Sequence, residues 1–185
     1  YLGYFGQRVL IIDIDPQGNA TSGLGIDPDS VNESVYEVLI EKMEAKDAVH
    51  ASEIDFLKVM PSNIRLSGAQ VELVSMLERE RKLSYAIEEL ADDYDYIIID
   101  CPPSLGILTV NAMVAARSII IPIQCEYYAL EGVGQLLNSI RLVQKNLNPG
   151  LTIEGILLTM YDSRLNLSNQ VAEEVRSYFE DRVYK

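Results

Sequence analysis

The chain has 185 residues, enough for one domain with a sizeable core. A hydrophobic content of 48% and a mean hydropathy of +0.06 fit a globular α/β protein, and no apolar run is long enough to span a bilayer. A net charge of −13 and a pI near 4.4 argue against strong nucleic-acid binding by the chain as a whole, while leaving room for a local basic site.

Residues 1–7 read as the last turn of a helix stopped by Gly6. No Met opens the chain, and no basic stretch followed by an apolar segment marks a secretory signal. The N-terminus is therefore expected to be missing. Val9 to Ile12 is β-branched at three of four positions and predicts a strand buried on both faces. The strand ends in two carboxylates, Asp13 and Asp15, and Pro16 closes it. A small polar stretch from Gly18 to Gly25 follows, at the end of a strand where open parallel sheets bind ligands.

Asp27 to Ser30 is a turn, and Asn32 or Ser34 is placed to cap a helix running through Val35, Val38, Leu39 and Met43. A short helix near 45–51 and a strand over 56–60, stopped by Pro61, come next. Ser67 opens a helical stretch with Ala69, Val71, Leu73, Val74 and Leu77 as its apolar residues. The run 78–82 reads as a solvated face, and Leu83, Ala86, Ile87 and Leu90 mark an amphipathic helix. Ile97 to Ile99 predict a second central strand, ending in Asp100 and stopped by Pro102 and Pro103. A helix over about 104–116, a third buried strand over 118–123 and a long helix over 127–147 follow. Strand 153–160 and helix 165–179 close the chain. Alternating strands and helices imply one α/β domain over 1–185, with a mostly parallel sheet flanked by helices on both faces.

Cys101 and Cys125 are far apart, outside any C-x-x-C pair, and read as reduced core thiols of a cytoplasmic protein. The lone His50 reads as a surface residue.

Strand-end aspartates recur in two βα units, as Asp13 with Asp15 and as Asp100. A hydrophobic strand ending in Asp is the pattern that holds Mg²⁺ beside nucleotide phosphates, often through water. An aspartate at such a place equally serves as a helix cap or turn residue. The combination is more specific. Asp13-Ile14-Asp15-Pro16-Gln17-Gly18-Asn19, Ile99-Asp100-Cys101-Pro102-Pro103-Ser104, Gln124 to Gly132 and Leu158-Thr159-Met160-Tyr161-Asp162 stand in that order. Together they resemble the ParA/Soj family of chromosome- and plasmid-partitioning ATPases, a deviant Walker P-loop group that includes MinD. The resemblance extends over essentially the whole chain.

That resemblance implies a P-loop-type fold and an ATPase using ATP and Mg²⁺. Asp15 would orient the attacking water and, with Asp100, hold magnesium largely through water. Asp13, Asn19 and Asp100 would serve the bound nucleotide, Asp13 by supporting the magnesium shell. Arg164 matches an arginine that grips DNA without sequence preference, although a solvated loop arginine is an equal reading. The implied partners are nonspecific nucleoid DNA, a second copy of the chain around two nucleotides, and a ParB-like protein. The aromatics of Tyr127 and Tyr128 would serve that dimer or simply begin a helix.

One departure is large. The K-G-G-x-G-K-T phosphate loop does not occur in residues 1–185. Without its backbone cradle, productive ATP binding is not expected from this segment alone. The chain is expected to be a truncated ATPase domain, lacking C-terminal elements as well. The apolar faces of 9–12 and 97–99 would then be partly uncovered, with an isolated chain that aggregates or stays molten. Two other readings are a MinD- or flagellar-number-type positioning ATPase at a membrane and a non-catalytic interaction module.

Overall fold

A computed structural model describes residues 1–126 and 129–184, the side chains of 129–131 excepted. The Tyr127–Tyr128 reading lies outside the described residues. The chain divides into two compact units, Tyr1–Ala115 and Ala116–Lys185.

The first unit is built on β1 (Val9–Asp13). It lies between β3 (Leu57–Met60) and β4 (Tyr96–Asp100), parallel to both, with Ile12 opposite Met60 and Asp13 opposite Asp100. A two-residue β2 (His50–Ala51) adds antiparallel to β3 and gives the order β2-β3-β1-β4. With a neighbour on each side, β1 buries Leu10 and Ile12 completely. The expectation that 9–12 would be partly uncovered fails for Val9, Leu10 and Ile12 and holds only at Ile11, which is half-buried. For β4 it holds in part: Ile97 and Ile99 pack on the core, while Ile98 is 46% exposed. Successive side chains point to opposite faces, so one face of β4 is packed and the other open. β4 pairs with β1 alone among the described residues, so it is not the expected central strand.

Five helices accompany this sheet: α1 (Asn19–Gly23), α2 (Val35–Leu39), α3 (Leu66–Glu72), α4 (Lys82–Leu90) and α5 (Ile107–Ala115). Ser34 caps α2, its Oγ accepting from Tyr36 N at 3.3 Å while the Glu37 carboxylate accepts from Ser34 N and Oγ. The helix stops at Leu39, short of the expected Met43, and Glu41 follows in the left-handed region at φ 59°. α3 also ends early, in a 3-10 turn over Leu73–Ser75. Only Ala69 and Leu73 of its expected face are buried, and Val71, Val74 and Leu77 point to solvent. Asn111, fully buried, joins α5 to the start of α4: its Oδ1 accepts from Leu83 N and its Nδ2 donates to the carbonyls of Arg79 and Ile107. Lys82 departs from the solvated-face expectation, since its side chain is 9% exposed and its ammonium pairs with Glu41 at 2.6 Å. His50 is half-buried, its Nε2 2.9 Å from the Glu33 carbonyl.

The second unit pairs β5 (Ser118–Gln124) with β6 (Thr152–Thr159), parallel, beside α6 (Ala129–Asn146) and α7 (Asn166–Phe179). Its buried residues include Ile121, Ile123, Ile140, Val143, Ile156, Val171 and Val175. β5 is not buried on both faces: Ile120 is exposed, and Pro122 occupies a strand hydrogen-bonded only to β6 among the described residues. Cys125 is buried as expected, but Cys101 in the first unit is exposed and is not a core thiol by area.

Gly155 in β6 lets the C-terminal segment close over the strand. A Cβ there would stand 2.7 and 2.9 Å from the Tyr184 ring and 3.1 Å from the Arg182 carbonyl. Gly155→Ala is expected to push 182–184 off β6, breaking the Tyr184 N to Ile156 O bond of 2.9 Å. The expected cost is about 1–3 kcal/mol. Faster amide exchange at Tyr184 checks it, and unchanged protection there contradicts it.

Candidate functional site

The site is the turn that leaves β1. Pro16 presets the backbone at the second position of a four-residue turn closed by Gly18 N to Asp15 O at 2.9 Å. Asp15 Oδ1 accepts from Gln17 N at 3.0 Å, so the carboxylate stiffens its own loop. Gly18 sits at φ 63°, where a Cβ would meet Pro28 at 3.1 Å and the Ser62 carbonyl at 3.3 Å. Glycine is required there on both counts.

Asp13 is fully buried beneath this turn. Its Oδ2 accepts from Thr21 N at 2.8 Å and from Thr21 Oγ1 at 2.7 Å, and its Oδ1 accepts from Asp15 N at 3.1 Å. Thr21 Oγ1 in turn accepts from Ser62 N at 2.9 Å. Asp13 thus stands behind the turn, with both oxygens engaged by its own chain. Asp15 is half-buried, and Asn19 is exposed at the first position of α1.

Register brings Asp100 to this place from β4. It lies opposite Asp13, and its carbonyl accepts from Ile14 N at 2.9 Å. Burial raises the pKa of its carboxyl, the negative charges of Asp13 and Asp15 raise it further, and the Cys101 backbone N–H opposes them. Ionising Asp100 therefore costs stability, a cost that appears as pH rises through its titration and that a nearby cation would remove. Although Cys101 as a residue is exposed, its thiol is surrounded by protein, and desolvation there, then the charges of Asp100 and Asp15, push it up to about 12, away from nucleophilic use.

Four of the five residues that the sequence singles out, Asp13, Asp15, Asn19 and Asp100, belong to this one end of the first unit. Of the three carboxylates, Asp15 is half-buried and Asp100 exposed, whereas Asp13 is enclosed. No group of three metal-binding side chains occurs among the described residues. Thr21 and Ser62 are not legible from sequence as part of the site: Thr21 lies unmarked in a polar stretch, and Ser62 meets it across 41 residues of sequence.

Arg164 lies in the second unit, in the loop between β6 and α7. Its guanidinium is held by Asp162, with Nη2 to Oδ2 at 2.7 Å and Nε to Oδ1 at 2.9 Å, and its side chain is 86% exposed. The Asp162 carboxyl is held below its usual range by this contact.

A mostly parallel sheet with carboxylates gathered at the carboxyl ends of β1 and β4 defines an α/β protein whose acidic residues stand where open sheets bind ligands. The family AAA_31, an AAA domain, matches residues 1–153. The sporulation initiation inhibitor protein Soj of Bacillus subtilis is 57% identical over 184 residues, covering 100% of this chain and 73% of that protein. The chromosome partitioning protein ParA of Myxococcus xanthus is 54% identical over 179 residues, 97% of this chain and 63% of that protein. A crystal structure described as cobyrinic acid a,c-diamide synthase from Mycobacterium smegmatis, with bound ATP analogue and magnesium, aligns at a TM-score of 0.92 and 44% identity. It is matched over 97% of this chain and 73% of its own. The chain belongs to the ParA/Soj family of chromosome-partitioning ATPases.

Proposed function

We propose that the protein carrying this chain is an ATP-driven DNA-partitioning switch. It binds ATP with Mg²⁺, closes as a homodimer, holds nonspecific DNA in that state, and releases it when a ParB-type partner triggers hydrolysis. The observation that carries this reading is the gathering of Asp13 and Asp100, opposite each other in register, with Asp15 two residues on, at one sheet end of a chain 57% identical to Soj throughout its length.

The donor set suits magnesium. Mg²⁺ is commonly held by one or two carboxylates with phosphates and retained waters, and Asp15 and Asp100 supply two hard oxygen donors. Burial first, then the charges of Asp13 and Asp15, raise the pKa of Asp100, and a divalent cation would relieve that cost of ionisation. Bound Mg²⁺ would neutralise phosphate charge. Asp15 would orient the attacking water, while the buried Asp13 supports the turn behind it. Asn19, exposed at the first position of α1, would face the nucleotide. The phosphate cradle itself is not drawn from residues 1–185. The protein would act in the cytoplasm, on the nucleoid.

Charge distribution favours the second unit for DNA. Residues 1–115 hold 20 Asp and Glu against 8 Lys and Arg, a net of −12, whereas residues 116–185 hold 8 against 7, a net of −1. Arg164 belongs to the nearly neutral part. To meet a phosphate it must leave Asp162, so the ion pair sets a competing anion against DNA.

In the natural-length protein with ATP, Arg164→Glu should weaken DNA co-sedimentation, and Asp162→Asn should strengthen it. Removing one arginine–phosphate interaction makes the slope of log K against log salt shallower by about 1. Unchanged ATP-dependent DNA binding in Arg164→Glu would overturn the role of Arg164.

A further inference from the structure

We infer that Thr21 is a positioning residue for the hydrolytic step, setting the backbone of Asp15 through the Asp13 carboxylate. The inference rests on the reading of Asp15 as the water-orienting group.

The relay is continuous and buried. Ser62 N, just beyond β3, donates to Thr21 Oγ1 at 2.9 Å. That acceptor role directs the Thr21 hydroxyl proton to Asp13 Oδ2 at 2.7 Å, where Thr21 N also donates at 2.8 Å. A carboxylate torsion is broad and roughly two-fold on its own. Two donors from one residue fix it, and the remaining oxygen, Oδ1, then points at Asp15 N at 3.1 Å. Asp13, Thr21 and Ser62 are each fully buried, so water cannot substitute freely for a lost member.

The relay joins the end of β1 and the first helix, 8 residues apart, to the segment after β3, 41 residues beyond Thr21. The Ser62 hydroxyl finds no hydrogen-bond partner among the described residues, so this residue enters the relay through its backbone N–H. Removing the Thr21 hydroxyl withdraws one donor from Asp13 and the acceptor from Ser62 N, but leaves the Asp15 carboxylate chemically intact. The consequence falls on where Asp15 stands, and misplacing a reacting group by a fraction of an ångström lowers turnover more than binding.

The test uses the natural-length protein and three variants. Thr21→Val should lower kcat for ATP at least tenfold, with the dissociation constant for ATP within twofold of wild type. Thr21→Ser, which keeps the hydroxyl, should return kcat to within twofold. A Thr21→Val kcat within twofold of wild type overturns the inference. So does a loss of kcat and binding together that Thr21→Ser does not rescue. Asp15→Asn separates the two levels: if it keeps full turnover, the reading of Asp15 fails. If it abolishes turnover while Thr21→Val does not, only the positioning role fails. Should Thr21→Val not fold, amide exchange in the wild-type protein decides. The Asp15 and Ser62 N–H groups should be protected like strand amides, and exchange as fast as at Asp29 in the exposed loop contradicts the relay.

Discussion

Asp15→Asn is expected to lower ATP hydrolysis in the natural-length protein by a factor of at least about 100, on the scale of losing a positioned acid–base or water-orienting group. ATP binding should stay within a few-fold. The substitution keeps the side-chain length, and its amide oxygen can still accept from Gln17 N, the bond of 3.0 Å that stiffens the loop. What it removes is a negative charge near Asp100, the least of the three influences that raise the Asp100 pKa after burial and Asp13, so that pKa should ease only slightly. Single-turnover hydrolysis alongside nucleotide titration checks both parts. Hydrolysis within a few-fold of wild type would show that another group places the water.

Asp13→Ala is expected to be among the most destabilising single changes in the first unit. It leaves Asp15 N, Thr21 N and the Thr21 hydroxyl without their acceptor in a fully buried place. Unsatisfied buried donors cost about 1–3 kcal/mol each, so a loss of about 3 kcal/mol or more follows. Asp13→Asn retains one carbonyl oxygen and should cost less. Urea unfolding of the natural-length variants measures the difference as a shift in midpoint at constant slope. A midpoint for Asp13→Ala near wild type would mean that water or a rearranged turn satisfies those donors.

The two aspartate variants therefore separate roles that the sequence does not. Asp13 and Asp15 stand two apart at a strand end, and nothing in their spacing says which is walled in. The structure decides it by placing Thr21 over Asp13 and leaving Asp15 half-buried. Strands β1, β3 and β6 are legible because their apolar runs are bounded by breakers or sharp polarity changes, such as Pro16 and Pro61. Helix ends are less so. Apolar spacing extends α2 to Met43, but the chain turns at Glu41 into a positive φ that nothing in the pattern marks. β2 is two residues long and offers no period at all.

The apolar richness of β4 and β5 suggests burial on both faces, and neither strand has it. Composition reports a strand's preference, whereas burial depends on what covers each face, and β4 and β5 alternate between packed and exposed residues. Lys82 departs from expectation for a related reason. A charge run implies solvent, yet one ammonium turns inward to meet Glu41, 41 residues earlier. Thr21 and Ser62 carry no signal in the sequence because a hydroxyl and a backbone N–H become functional only through the fold that joins them.

The most direct measurement is nucleotide-dependent DNA co-sedimentation of the natural-length protein carrying Asp15→Asn. The account predicts that this variant holds nonspecific DNA with ATP, fails to hold it with ADP, and no longer releases it with time. DNA binding indifferent to the nucleotide, or release at the wild-type rate, would contradict it.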